Sequence, residues 1–183
     1  MKSTRLSIIA VSLLLAGCSS SQPPARLTDS VGQLNRDLSR LSAQSEAVTY
    51  QRQLNAASTR GAWLLPLADS PVSLITAQGK VLTRLAPVSP GGLPVLLVKN
   101  QQTGSLPPFT ITAELAVVSA KEGYRNAVPV ILKRQVLQRA VPLAPAEQAR
   151  FILPEIRLKD DQVLVVNVHQ FIPEISAAVT RPR

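Results

Sequence analysis

One residue in this chain combines a type and a position that predict a specific covalent chemistry. Cys18 is the only cysteine, so it has no disulfide partner within the chain. It directly follows Leu15, Ala16 and Gly17. A lone exported thiol in this setting is the acceptor for diacylglycerol transfer in bacteria, and the two small residues let an extended backbone enter the processing peptidase. The pattern predicts that Cys18 becomes the lipid-bearing first residue of the mature protein; the alternative is a secreted chain with a free thiol.

The residues before Cys18 have the parts of an export signal. Lys2 and Arg5 give a positive start, and residues 6–16 are apolar apart from two serines. About ten apolar residues are too few for a transmembrane helix, which needs about twenty. We therefore expect residues 1–17 to be a signal peptide and residues 18–26 to be a lipid-bearing flexible tether.

The expected location follows from the anchor. The residue after Cys18 is serine, whereas aspartate there favours retention at the inner membrane in enteric-type bacteria. The sequence thus favours the periplasmic face of the outer membrane over the inner membrane. The only non-protein group expected is the lipid on Cys18, a diacylglycerol with an N-acyl chain such as palmitate, and no other cofactor is expected.

Few other residues could do chemistry. Nucleophilic catalysis by serine usually needs a base, and His169 is the only histidine. It lies among apolar residues of a predicted strand, which favours a half-buried structural role over a place at the rim of a site. Asp160 and Asp161 could join a calcium site, but their Lys-Asp-Asp-Gln context is more typical of a solvated turn. We therefore predict no catalytic residue, no metal site and no enzyme activity, although two carboxylates that meet only in the fold stay open.

The charge balance indicates which partners to expect. Without Lys2 and Arg5, 18 basic residues face 11 acidic ones, a net charge of about +7. Nucleic acid is the usual partner of so basic a chain, but a periplasmic location argues against it. Four arginines bracket two late predicted strands and either form a basic face or protect strand edges, the second being favoured: Arg134, Arg139, Arg150 and Arg157.

Residues 27–58 have the period of a helix with a narrow apolar seam. The spacing of its members is that of a heptad repeat; they include Val31, Leu34, Leu38 and Leu41. Ser45 interrupts the seam. Either this helix docks on the chain's own β domain, or the seam pairs weakly with another copy or with a partner. A stalk or docking helix is favoured over an oligomerising coil, because fewer than three clean heptads give weak self-association.

Residues 61–175 have the period of β-strands, with 15 prolines in the whole chain that favour short strands. We expect about seven or eight strands in an antiparallel sandwich after one N-terminal α-helix, and a disordered tail at 176–183. The strands expected are an edge strand at 62–67, a hairpin at 72–88, a central strand at 93–100, an alternating strand at 109–119, a bulged strand at 128–141, short strands on both sides of Pro154, and a last strand at 163–172. A short helical turn is expected in 143–148.

The order of these parts resembles the YajI-like lipoproteins, a family of uncharacterised function. The resemblance is carried by Leu15-Ala16-Gly17-Cys18, by the heptad helix, by the Gly-Ala-Trp-Leu-Leu-Pro-Leu stretch at 61–67 and by the β-rich remainder. It implies a helix followed by a β domain and supplies no catalytic residues.

Three functions fit this sequence. The preferred hypothesis is an outer-membrane-anchored accessory lipoprotein that acts without catalysis, through contacts with an envelope protein. The alternatives are an envelope hydrolase with a carboxylate site and a carrier with an apolar pocket. In all three cases the protein would contact the lipid bilayer through Cys18.

Overall fold

The computed structural model describes residues 25–86, 92–124 and 126–174. The predicted signal peptide, the residues Leu15 to Cys18, the tether up to residue 24 and the tail at 176–183 lie outside these ranges. Besides a short 3-10 helix at Lys121–Tyr124, the elements are α1 (Ala25–Ala57), β1 (Ala62–Leu64), β2 (Val72–Thr76), β3 (Gly79–Leu85), β4 (Val95–Asn100), β5 (Phe109–Ser119), β6 (Val130–Arg139), β7 (Gln148–Ile152) and β8 (Gln162–Pro173).

The eight strands form two four-stranded antiparallel sheets. Sheet 1 has the order β1-β8-β5-β6, and sheet 2 has the order β2-β3-β4-β7. Their facing sides share one apolar core, to which sheet 1 contributes Phe109 and Leu115 and sheet 2 contributes Val81 and Leu96. The predicted fold class, an antiparallel sandwich after one N-terminal helix, is confirmed.

Several local predictions match the observed strands. The predicted hairpin is the pair β2 and β3, which closes where Thr76 pairs with Gly79. Gly79 has a φ of 119°, which favours glycine at this turn. β4 lies between β3 and β7, as a nearly all-apolar strand should. In β6 the pairing with β5 steps from Lys133 to Ile131, so Leu132 is the extra residue of a bulge. That bulge lies within the strand predicted to be bulged, 128–141.

Two local predictions are wrong. The stretch 143–148 holds no helical turn: Leu143 bridges to Leu106, and the amide of Glu147 donates to the carbonyl of Ala144. The Glu147 carboxylate accepts the amide of Ala144 in return, which closes a tight turn. Residues 153–159 form no second strand after Pro154; instead the amide of Leu153 donates to the carbonyl of Pro94.

The polar residues that alternate along β5 are more buried than their pattern predicts. Thr110, Thr112 and Glu114 do lie opposite the core face, but Thr112 and Glu114 are buried. The second face of sheet 1 is covered by a second apolar cluster, in which Ala47 and Tyr50 of α1 pack near Ala116, Val118 and Val165. Sheet 1 is therefore buried on both sides over much of its area.

Two side chains of α1 also close the β1 edge of sheet 1. Asn55 accepts the amide of Trp63 at 2.9 Å and donates to the carbonyl of the same residue at 2.8 Å. One turn earlier, Gln51 accepts the amide of Leu65 at 2.7 Å and donates to the carbonyl of Ser70. The free backbone groups of an edge strand are thus satisfied by the helix rather than by water or another strand.

The chain divides within α1. One unit ends at Ser39, and the other begins at Arg40 and carries all eight strands. The contacts with β1 and sheet 1 described above belong to the second unit. The first unit contributes the N-terminal half of α1, which contains three of the four seam residues.

Candidate functional site

A row of four side chains crosses the second face of sheet 1. The strand register places Trp63, Asn167, Glu114 and Arg134 opposite one another on β1, β8, β5 and β6. Because directly opposed residues share a face, these side chains project from the same side of the sheet. Asn167 and Glu114 are buried, whereas the Arg134 side chain is 65% exposed.

Glu114 is the centre of a charged cluster in this row. Its Oε1 accepts from Nε and Nη2 of Arg134 at 3.0 and 2.5 Å. Nε2 of His169, which comes from the neighbouring row, lies 3.4 Å from the same oxygen without hydrogen-bond geometry. Burial alone raises the pKa of Glu114, but the hydrogen bond from Arg134 and the attraction to His169 outweigh it, so the pKa is held below its usual value.

The backbone at Gly61 lies directly against His169. Gly61 has a φ of 71°, and a Cβ there would lie 2.3 Å from the Val168 carbonyl oxygen and 2.7 Å from the His169 Cβ. Only glycine permits this approach. A cleft of about 310 Å³ next to it is lined by residues of three segments, including Arg60, Thr76 and Phe171.

The cluster stabilises the negative charge of the buried Glu114 carboxylate on the second face of sheet 1. The His169 ring is buried, so the predicted structural role is favoured while the half-buried environment is corrected to a buried one. Glu114 was not among the predicted site residues. The available signal was a single acidic residue inside an otherwise apolar strand, but its partners come from β6 and β8, 20 and 55 residues away in sequence.

The other charged candidates do not converge. Asp160 and Asp161 lie in a turn, where Asp161 accepts from the Ser119 hydroxyl and lies 3.6 Å from Lys121 Nζ. Within the described ranges, no group of three histidine, cysteine or acidic side chains is arranged to hold a metal ion. Two of the four arginines are paired with carboxylates, Arg134 with Glu114 and Arg139 with Glu147, which argues against one basic face made of all four.

The four named residues of the α1 seam are exposed. Between 55 and 60% of the surface of each member is open to solvent: Val31, Leu34, Leu38 and Leu41. Large aliphatic side chains aligned on one stripe of a helix usually mark a packing surface. The exposure of these four residues leaves the predicted choice between a stalk or docking helix and an oligomerising coil as a prediction.

The β6 edge of sheet 1 is a second exposed apolar surface. Four of its ten residues are aliphatic and more than half exposed: Val130, Ile131, Leu132 and Val136. On its outer side, no strand pairs with β6 in the described part of the chain. The two edges of sheet 1 thus differ, since α1 closes the β1 edge and leaves the β6 edge open.

Two further clefts lie on the second unit. One, of about 430 Å³, lies beside the stacked rings of Tyr50 and Tyr124, whose centroids are 4.9 Å apart, and its lining includes Glu46. The other, of about 330 Å³, is mainly apolar and includes Leu67, Leu158 and Glu155. Among the side chains that the structure describes, neither of these clefts, nor the one beside His169, has two carboxylates in its lining.

With this geometry described, comparison with known proteins identifies the family. The model of a protein family of unknown function, DUF3251, matches residues 18–179. The chain belongs to the DUF3251 family. It is also 23% identical over 172 residues to the uncharacterized lipoprotein YajI of Escherichia coli K12, an alignment that covers 92% of this chain and 95% of YajI.

The DUF3251 fold is also found in a solved structure. The solution NMR structure of the lipoprotein YajI from Escherichia coli superposes with a TM-score of 0.58 at 19% identity, over 100% of this chain and 98% of that one. The resemblance to YajI-like lipoproteins is therefore confirmed. Among the described residues of this DUF3251 member, no helix has both the length and the apolar character needed to span a bilayer.

The charged cluster makes the stability of this DUF3251 protein depend on pH. Because folding lowers the pKa of Glu114, the folded chain binds fewer protons than the unfolded chain just below the usual glutamate value of about 4.3. The resulting stabilisation is complete above that pH and is lost as the pH falls through the folded pKa. We expect Glu114→Gln to lower the free energy of unfolding by about 2 kcal/mol at pH 7, and the difference from the parent to shrink below pH 4.3.

Urea unfolding at a series of pH values measures both effects. Asp69→Asn is the control, because Asp69 and Arg84 form a partly exposed pair at 3.0 Å whose loss should cost less than about 1 kcal/mol. A constant difference between parent and Glu114→Gln from pH 7 to pH 2 would contradict the proposed role of the Glu114 carboxylate.

Proposed function

We propose that this protein is a lipoprotein anchored through Cys18 to the periplasmic face of the outer membrane, where it acts without catalysis as an accessory module that binds another envelope protein. The observation that carries the proposal is the placement of large exposed aliphatic side chains in two patches, the seam of α1 and the edge strand β6. In the interior, buried apolar side chains occupy the space between the two sheets.

The anchor is supported by sequence and by homology. Cys18 follows Leu15, Ala16 and Gly17, and the DUF3251 match begins at residue 18. YajI, which aligns with 92% of this chain, is named as a lipoprotein. Each buried methylene of an acyl chain contributes about 0.8 kcal/mol, so a diacylglycerol together with an N-acyl chain holds a protein firmly at the bilayer. Ser19 supports the outer membrane.

The filled core favours binding over the two alternative functions. A carrier needs a large apolar cavity, but Phe109, Ile111, Leu115 and their neighbours occupy the space between the sheets. A hydrolase of the kind considered needs two carboxylates in one cleft, and the described side chains that line these three clefts include at most one each. Glu114 is a buried acidic residue, but its carboxylate is already bound to Arg134.

The β6 edge fits an extended segment of a partner. Such a segment can add a strand to a sheet edge through backbone hydrogen bonds and bury side chains on both faces. Val136 and Ile131 offer apolar contacts on one face, and Lys133 adds an exposed positive charge. We therefore expect the bound segment to alternate apolar and acidic residues.

The anchor is tested by replacing the thiol. We expect the parent protein to fractionate with outer membranes and its mature N-terminal peptide to carry the mass of the lipid. Cys18→Ser should leave the precursor unprocessed and unlipidated, since the sulfur atom is the acceptor. A parent peptide with an unmodified thiol, or a Cys18→Ser chain that still carries lipid, would show that the proposed anchor is wrong.

The contact surface is tested by a photo-crosslinking amino acid placed at single positions in living cells. Val136 is the test position on β6, and Ile75 on β2 is the matched control, because it is an aliphatic residue on an edge strand of sheet 2 and is 84% exposed. We expect one discrete adduct from position 136 that is reduced at least fivefold by Lys133→Glu in the same chain. The same adducts from both positions, or none from position 136, would contradict binding at the β6 edge.

A further inference from the structure

The most regular exposed surface of the chain is the seam of α1. We propose that the seam pairs with the same seam of a second copy of this chain, as a short parallel two-stranded coiled coil. The proposal rests on the anchored location given above, and it names the occupant of the seam, whereas the β6 edge remains the surface for another protein.

The heptad positions of the seam are those of a dimer. With Val31 and Leu38 at position a, Leu34 and Leu41 fall at position d. Val31, β-branched at position a, together with leucine at both d positions favours two parallel strands over higher oligomers, whereas Leu38 at the second position a adds nothing to this preference. All four side chains are more than half exposed in the single chain, so pairing would bury apolar surface that has no cover among the described residues.

The residues that flank the seam permit two identical helices to approach. In a parallel pair, position g of one helix faces position e of the other, five residues further along. These facing residues are Ser30 with Asn35 and Asp37 with Ser42, so no like charges meet. The charged side chains Asp29, Arg36 and Arg40 fall at positions f and c, on the outer side of the pair.

The seam stops where α1 becomes part of the β domain. The next position a is Ser45, and from Ala47 onward the helix packs on sheet 1. About two heptads remain for pairing, which is too short for a stable dimer of free chains in solution. Anchoring in one bilayer changes this, because confinement raises the effective concentration of each chain for the other.

The anchor also selects the direction of pairing. α1 begins at Ala25, seven residues after Cys18. A parallel pair brings both helix starts together at the same membrane surface. An antiparallel pair centred on the seam would separate them by about 30 Å, given a rise of 1.5 Å per residue. The short tether therefore favours the parallel pair.

Disulfide formation in intact envelopes tests the pair directly. Single cysteines are introduced into the full-length lipoprotein at three seam positions, Val31→Cys, Leu34→Cys and Leu41→Cys, and at the outer position f as the control, Arg36→Cys. Because the sulfur of Cys18 is occupied by lipid, the new thiol is the only free one in the chain. After mild oxidation we expect at least fivefold more homodimer from each seam variant than from Arg36→Cys.

Each other outcome overturns a defined part of the account. Homodimer from only one of the three seam positions indicates antiparallel pairing, and equal amounts from Arg36→Cys indicate random collision. Absence of homodimer, or adducts only with other proteins, shows that a second copy is not the occupant. A disulfide dimer of the parent, whose only cysteine is Cys18, would instead show that the lipid is absent and would overturn the proposed anchor.

Discussion

The closure of the β1 edge by α1 is the interaction on which the rest of the structure depends. β1 has only three residues, and its outward backbone groups would be unsatisfied beneath a helix without a partner. Asn55 and Gln51, one helical turn apart, supply donors and acceptors for Trp63, Leu65 and Ser70. These bonds fix the C-terminal half of α1 against sheet 1, where Ala47 and Tyr50 then bury the second face. The burial of Ala116, Val118 and Val165 on that face accompanies this cover.

The sequence predicted the elements better than their contacts. The alternation in 109–119 and the apolar run before Asn100 are local signals, and each coincides with one strand of the structure. The predicted hairpin at 72–88 is likewise a local signal, and it coincides with the pair β2 and β3. The burial of Thr112 and Glu114 could not be predicted in this way, because their partners Gln170, Arg134 and His169 come from strands 20 to 58 residues later in the sequence. The same applies to the turn at 144–147, where the Glu147 side chain binds the Ala144 amide and competes with a helical conformation. The spacing predicted one apolar stripe on the helix, but spacing alone could not show what packs against it.

The two halves of α1 have different surroundings, and this difference shapes the functional account. From Ala47 to Asn55 the helix contributes buried apolar and amide side chains to the β domain. From Val31 to Leu41 its aliphatic side chains are exposed. The unequal edges of sheet 1 give a comparable contrast, with β1 closed and β6 open. These exposed surfaces and the filled core are the features on which the proposed role as a lipid-anchored accessory module rests.

Native-state hydrogen exchange of individual amides tests the central claim most directly, at a protein concentration where the chain is monomeric. The account predicts that the amides of Trp63 and Leu65, although they point away from β8, exchange as slowly as the amides of β8 itself. Amides of residues 30–38 in α1 should exchange much faster, because the large aliphatic side chains there are exposed and add little burial to resist local opening. Exchange of Trp63 and Leu65 as fast as that of residues 30–38 would show that the bonds from Asn55 and Gln51 do not hold the helix on the sheet, and would contradict the account.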